Sequence, residues 1–243
     1  MPSSYFISDL HLSDNHPAVV QLFESFLLNK APQADALYIL GDLFDAWVGD
    51  DDDSQTAMRT STALSKLADH NTGVFIMHGN RDFLIGKDFC EASQATLLHD
   101  PTIVTINNSN ILLTHGDQMC TGDIAYQRAR QMRLDEKWLT EFTRQSLAER
   151  RKIAEQYRQQ SGEAKSQLAA DIMDVTQSAV ENWFRRYDVS LMIHGHTHRP
   201  ADHTHQVDGK TRTRVVLDQW HHDRGMYLEM DGVGKISRHS ITH

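Results

Sequence analysis

Residues 194–200 read HGHTHRP, three histidines within five residues. Side chains so closely spaced, separated by glycine and threonine, do little for an apolar core, and imidazole is a common metal ligand. Four more short motifs carry the same kind of group: Asp9 and His11 in "SDLHL", Asp42 in "GDLFD", Asn80 in "HGNRD" and His115 in "THGD". With His196 and His198 they make a set of oxygen and imidazole donors without a thiolate. Such a set points to Mn²⁺, Fe or Zn²⁺ rather than to a soft metal. Two ions roughly 3.5–4 Å apart clamp phosphoryl oxygens and lower the pKa of water. Their mutual repulsion calls for an anionic bridge, and Asp42, on a sharp Gly-Asp turn, suits that place. One Asp or His at a strand end is ordinarily a cap or turn residue. A set spread over five ordered motifs is the sharper pattern, and hydrolysis at phosphorus is the chemistry expected of it.

Those side chains need a frame, and each motif closes an apolar run: "SYFISDLH", "ALYILGD", "GVFIMHGN", "NILLTHG" and "VSLMIHGH". Short apolar, β-rich runs are the signature of buried strands. Helix-like segments such as 16–30 and 54–70 lie between them. The alternation predicts an α/β fold, a β-sandwich flanked by helices. In open sheets of this class ligands gather at the carboxyl ends of the strands. Asp9 and His11, two apart, are expected to face one side of an extended strand end, as are His196 and His198. The stretch 200–241 reads as short strands ("TRTRVVLDQW", "MYLEM", "KISRHSI") and is expected to form the second sheet. Residues 121–186 lack a strand pattern, and Leu168, Ile172, Val175, Ala179 and Trp183 recur on one helix face. They are expected to form a helical insertion, with 1–120 and 187–243 as the core domain.

The net charge of −9 is uneven: residues 121–186 carry 12 Lys+Arg and 10 Asp+Glu, the remainder 12 and 23. An acidic body argues against nucleic acid as a partner. It suits metal-binding carboxylates, while the basic insertion could meet an anionic substrate or a membrane surface. No apolar run reaches the roughly 18 residues of a membrane span. The N-terminus has no charged region or cleavage site, so secretion is not expected. Cys90 and Cys120 form no disulfide framework, which fits a cytoplasmic protein.

The five motifs occur in the order and rough spacing of the calcineurin-like metallophosphoesterases, which this chain resembles. The resemblance implies Asp9, His11, Asp42 and His198 around one ion and Asp42, Asn80, His115 and His196 around the other. The broad superfamily has a histidine after the asparagine, often treated as a general acid; here that position is Arg81. Arginine does not donate a proton near neutral pH, but its planar fork holds phosphate oxygens. A leaving group that needs little protonation, such as a phosphate within a pyrophosphate, is therefore expected. "YILGDLFDAWVGDDD", "HGNRDFLIGKDF", "HGDQMCTGD", "IMDV" and "IHGHTHRPA" are similar to the UDP-2,3-diacylglucosamine diphosphatases of lipid A biosynthesis in Gram-negative bacteria.

That resemblance implies two Mn²⁺ per chain, with release of UMP and 2,3-diacylglucosamine 1-phosphate by water attack on the uridine-side phosphorus. It implies that the insertion is a lid over two acyl chains and that the protein sits on the cytoplasmic face of the inner membrane, a monomer being favoured. It implies Asn80, Arg81, His115 and Asp42 in catalysis. Substrate contacts are implied for Asn80, Arg81, Asp123, Ser161 and His196, with Lys165 close by. The family's lysine at the position of Leu168 is absent, and Lys165, one helical turn away, is the expected substitute. The residues by themselves leave open a phosphoesterase with a water-soluble substrate and a non-catalytic metal-binding scaffold. Asp50–Asp53 read as a solvated run and a helix start, and His78 and His194 as structural histidines. Leu134, Trp138, Leu139 and Phe142 form an apolar cluster beside basic residues, equally suited to a membrane and to a helix–helix contact.

Overall fold

The computed structural model of the chain describes residues 3–167 and 174–242, with side chains placed outside 160–173. Two sheets face each other. The first has six strands: β1 (Ser4–Ile7), β2 (Ala36–Leu40), β3 (Gly73–Met77), β4 (Thr96–Leu98), β10 (Gly225–Met230) and β11 (Ile236–Ile241), in the order β11-β10-β1-β2-β3-β4. The second holds β5 (Thr102–Ile106), β6 (Ser109–Thr114), β7 (Leu191–His194), β8 (Ala201–Val207) and β9 (Lys210–Val216), in the order β5-β6-β7-β9-β8. The C-terminal strands thus do not form one sheet, as the sequence had suggested. β8 and β9 join the second sheet, and β10 pairs antiparallel with β1 in the first. Their alternation of apolar and polar residues marks a half-buried strand but carries no information about which sheet receives it.

Alternate residues of the central strands serve two cores. Phe6, Tyr38, Leu40, Ile111, Leu113 and Ile193 pack between the sheets. Tyr5, Ile7, Leu37 and Ile39 point the other way, onto α1 (Pro17–Asn29) and α2 (Gln55–Asp69). Both helices carry clear start signals. Pro17 opens α1, and the Ser54 hydroxyl caps α2 by accepting from the Ala57 N–H at 3.1 Å. α3 (Lys87–Ser93) completes that layer. Leu112 and Met192, on the outer face of the second sheet, pack with Val180 and Phe184 of α7 (Gln177–Tyr187). The layers therefore run helix, sheet, sheet, helix.

The insertion holds α4 (Ile124–Arg133), α5 (Glu136–Thr143) and α6 (Leu147–Gln167), followed by α7. Its apolar stripe differs from the expected one. Thr176 caps α7, so Val175 precedes the helix, and the buried positions are Val180 and Phe184, with Ala179 and Trp183 partly buried beside them. Leu168 and Ile172 lie outside the described residues.

Candidate metal centre

β1, β2, β3, β6 and β7 end at Ile7, Leu40, Met77, Thr114 and His194, each one to three residues before a donor of the set. The chain then turns sharply. Asp9, His11, Asp42, His196 and His198 have φ of 56°, 52°, 52°, 67° and 53°. Left-handed backbone costs a non-glycine residue about 1–3 kcal/mol and marks functional sites. The extended-strand expectation for the two i, i+2 pairs is therefore corrected. Asp9 and His11, like His196 and His198, share a face through paired left-handed turns after the strand. Glycines let these turns meet: a Cβ at Gly79 would strike the Asp42 nitrogen and carboxylate, and one at Gly195 the Asp9 carboxylate.

The set converges into two groups, Asp9–His11–His198 and Asp9–Asp42–His115, with Asp9 common to both. Asp42 faces both as well, with Oδ2 3.9 Å from His11 Nδ1 and Oδ1 3.7 Å from His115 Nε2. Asn80 Oδ1 lies 3.2 Å from His115 Nε2, and the His196 ring centre 4.9 Å from that of His115.

Hydrogen bonding leaves the inward atoms short of donors. His115 Nδ1 lies 2.9 Å from the Leu40 carbonyl, which can only accept, so Nδ1 carries the proton. On the neutral ring Nε2 then presents a lone pair to the oxygens of Asn80 and Asp42. A cation among them satisfies all three. A proton does so otherwise: burial opposes charge on His115, but Asp42, Asp9 and Asp117 outweigh it and lift its pKa to about 9. Burial, with Asp82 and Asp9 nearby, pushes Asp42 up to about 6 against the pull of His115 and Arg81. In the other group His11 Nε2 faces His198 Nε2 at 3.4 Å, and the buried His11 Nδ1 has no hydrogen-bond partner among the described residues. Two imidazole nitrogens aimed at each other beside carboxylates fit a divalent ion.

Two aspartates that the sequence reading passed over hold the frame. Asp82, fully buried, accepts from the Gly79 and Leu43 N–H groups at 2.7 Å each and from Asp42 N at 3.3 Å, locking the turns of two motifs together. Asp117 Oδ2 accepts from Tyr126 Oη and Arg130 Nε, both at 2.8 Å, which ties α4 to the His115 turn. Both lie inside the quoted motifs "GNRD" and "THGD"; a buried carboxylate among turn N–H groups was the signal available. His78 and His194 are structural, as expected. His78 Nε2 sits 2.7 Å from the Ile85 carbonyl, and burial together with Arg214 holds His194 neutral, with a pKa of about 3.

Arg81 reaches the site from the turn after β3. Its backbone N–H donates to Asp42 Oδ1 at 2.9 Å, and its guanidinium pairs with Asp45. Asp45 also pairs with Arg158 of α6. Asp123 caps α4, accepting from Tyr126 N at 2.9 Å, and the Tyr126 ring lies 5.6 Å from that of His196. Ser161 and Lys165 fall on the last part of α6, from residue 160 on, whose side chains lie outside those described. The aspartate run is more than a solvated loop. Arg150 bonds the Val48 carbonyl and Asp51, Arg151 bonds Asp52 and Asp53, and these pairs fasten α6 to the core. Asp50 instead accepts from Gly86 and Asp88 N–H groups at the start of α3. Beside Asn80 and Arg81 a cavity of about 220 Å³ opens between core and insertion, lined by Phe83, Leu84, Trp138, Phe142 and Tyr157 among others.

The solved structure of an archaeal phosphodiesterase has the same fold, with a TM-score of 0.50 and 12% identity over 98% of this chain and 99% of that one. In sequence the chain is 45% identical to a UDP-2,3-diacylglucosamine hydrolase of Aromatoleum aromaticum over 96% of this chain and 94% of that protein. It is 45% identical to the protein of the same name from Pseudomonas paraeruginosa, over 96% of each chain. The Haemophilus influenzae protein of that name is 43% identical, over 97% of this chain and 98% of the other. The calcineurin-like phosphoesterase family model matches residues 3–200, from the first strand through the last histidine motif. A likeness that spans the converging turns and the frame beneath them makes this chain a member of the calcineurin-like phosphoesterase family, in the branch of the UDP-2,3-diacylglucosamine hydrolases.

Proposed function

We propose that the protein hydrolyses the pyrophosphate of UDP-2,3-diacylglucosamine to UMP and 2,3-diacylglucosamine 1-phosphate, a step of lipid A biosynthesis. The observation that carries the reading is the aromatic cavity between core and insertion, which opens at Asn80 and Arg81 beside the histidine–carboxylate groups. A diacylated sugar needs apolar walls within reach of the reacting phosphates, and Phe83, Trp138 and Phe142 supply them. The names of relatives 43–45% identical over nearly the whole chain agree with it.

Asp9, His11, Asp42 and His198 would hold one divalent ion and Asp42, Asn80, His115 and His196 the second; the oxygen and imidazole donors suit Mn²⁺, Fe or Zn²⁺, and the family resemblance selects Mn²⁺ among them. Such a pair, when bound, supplies water activation at neutral pH and offsets charge on the phosphoryl oxygens. The chain's own residues do the rest. His115 keeps its proton on Nδ1 through the Leu40 carbonyl, so Nε2 stays a donor of electrons. Asn80, Arg81 and His196 hold phosphate oxygens. The sugar phosphate leaves as a stable anion, and Arg81 stabilises it without giving up a proton. Asp123, Ser161 and Lys165 belong to the sugar-phosphate side. The protein works as a monomer on the cytoplasmic face of the inner membrane; no helix among the described residues is long and apolar enough to cross it.

The test is UMP release from UDP-2,3-diacylglucosamine by metal-stripped protein, with and without Mn²⁺, alongside UDP-N-acetylglucosamine. Mn²⁺-dependent release from the diacylated substrate is expected. Equal rates on the unacylated sugar nucleotide would transfer the reading to a water-soluble substrate.

A further inference from the structure

A second cavity, of about 330 Å³, borders the same centre and shares three wall residues with the aromatic one: Asn80, Phe83 and Arg133. Arg133 forms the partition. Its guanidinium carbon lies 5.5 Å from the Phe83 ring centre and 5.6 Å from that of Tyr126. Beyond the partition the lining changes character. The aromatic cavity has Trp47, Trp138 and Phe142; the second has His78, His99, Asp100 and Arg130, with Leu97 and Leu134 as apolar contacts. A third hollow, against α6 beside Ser13 and Asn15, is lined by none of the donor set.

We infer that the second cavity receives the nucleotide half of the substrate, a pyrimidine nucleoside 5′-phosphate, with the pyrophosphate lying across Asn80 and Arg133. This rests on the pyrophosphatase reading above. A diphosphate that joins two unlike halves needs two unlike recesses meeting at the reacting phosphorus. The aromatic recess suits acyl chains, and the recess beyond Arg133 offers what a nucleotide asks for. Hydroxyls and a pyrimidine edge need hydrogen-bonding partners, and a planar base needs flat walls. His99, exposed at the end of the edge strand β4, and the Asp100 peptide supply the first, the Phe83 ring supplies a flat wall, and Leu97 adds apolar contact. Asp100 is already held in place, since its Oδ1 lies 3.3 Å from the His115 N–H and its carbonyl accepts from Gln118 Nε2 at 3.1 Å. The nucleotide recess is therefore anchored to the same turn as the metal-centre histidine.

The test uses two chromogenic esters with one leaving group, the p-nitrophenyl ester of UMP and bis(p-nitrophenyl) phosphate, assayed with Mn²⁺, together with UMP as a competitor. The ratio of kcat/KM for the first ester over the second measures nucleotide recognition and needs no acyl chain. Leu97→Trp, which fills the recess from the strand edge, is expected to lower that ratio and weaken UMP inhibition, each about ten-fold. His99→Ala is expected to move both the same way, about three-fold. If UMP does not compete with wild-type protein, or if neither variant changes the ratio, the assignment is overturned. Hydrolysis of UDP-2,3-diacylglucosamine by wild-type protein is scored separately. Its absence sinks the pyrophosphatase reading, whereas its presence with an unmoved ratio sinks the nucleotide recess alone.

Discussion

At the scale of single residues, the centre concentrates charge that must be held in place against its own repulsion. Asp82 is the clearest case, a fully buried carboxylate whose work is to gather N–H groups from the Gly79 and Asp42–Phe44 turns. Asp82→Ala leaves those donors buried and unpaired, so a loss of roughly 2–4 kcal/mol in urea-unfolding stability is expected, together with loss of bound metal. A stable variant that still binds metal would remove Asp82 from the frame. His115 sets the pH behaviour. Its pKa of about 9 stands above the ordinary 6.5, so the proton-bound ring stabilises the metal-free fold below about 6.5, and that contribution is lost as pH rises through 9. A metal ion needs the neutral ring, so binding at pH 7.5 should release about one proton, and apparent affinity should climb with pH up to about 9. Calorimetry in buffers of different ionisation enthalpy measures this directly; a binding heat independent of buffer would contradict it.

At the scale of elements, the insertion is fastened to the core by charge as well as by packing. Arg150 is the central pin, buried between the Val48 carbonyl, Asp51 and the Gln145 carbonyl. Arg150→Ala is expected to raise KM for the diacylated substrate roughly ten-fold while bis(p-nitrophenyl) phosphate turnover stays within about two-fold, because the former alone needs α6 seated. Equal losses on both would assign Arg150 to the centre itself. These elements also show what could be read in the sequence. The strand runs, the helices α1 and α2 and the Gly-Asp turn at Asp42 were legible, because burial on two faces, helical periodicity and short-range turn chemistry are local properties. The pairing of β10 with β1, the cap at Thr176 that ends the presumed α7 stripe, and the Asp51–Arg150 contact were not. The strand pairing and the Asp51–Arg150 contact join residues far apart in the chain, the cap is a local bond to Ala179 N masked by the regular apolar spacing, and a run of aspartates looks the same whether it meets water or a row of arginines. The left-handed turns at Asp9 and His196 were hidden for a related reason. An i, i+2 spacing is shared by an extended strand and by two consecutive turns, and only the converging partners decide between them.

At the scale of the whole molecule, charge and apolar exposure are both polarised. The core, with 12 cations against 23 acidic groups, carries more than the whole net charge of −9, while residues 121–186 carry the other 12 of the 24 cations against 10 acidic groups. The same segment exposes Ile124, Met132, Leu134 and Tyr157, while its aromatic Trp138 and Phe142 stack at 4.9 Å and turn inward to the cavity. The expected apolar cluster thus divides, with Leu134 facing solvent and Phe142 buried. A surface that combines cations with protruding apolar side chains favours an anionic bilayer, each cation near it contributing about 1 kcal/mol, and the acidic core is repelled from the same bilayer. For the membrane docking proposed above, the two effects would orient the molecule with the insertion toward the lipid and the aromatic cavity within reach of a diacylated substrate. Co-sedimentation with phosphatidylglycerol-containing vesicles is therefore expected at roughly 0.05 M salt and should fall several-fold at 0.5 M, where the Debye length shrinks to a few ångströms. Ile124→Asp combined with Met132→Asp should weaken binding at either salt concentration, since it removes apolar contact and adds repulsion together. Binding to neutral phosphatidylcholine vesicles as strong as to anionic ones, or a double variant that binds like the wild type, would mean that the insertion does not face the membrane. The substrate would then have to be drawn fully out of the bilayer before reaching Asn80.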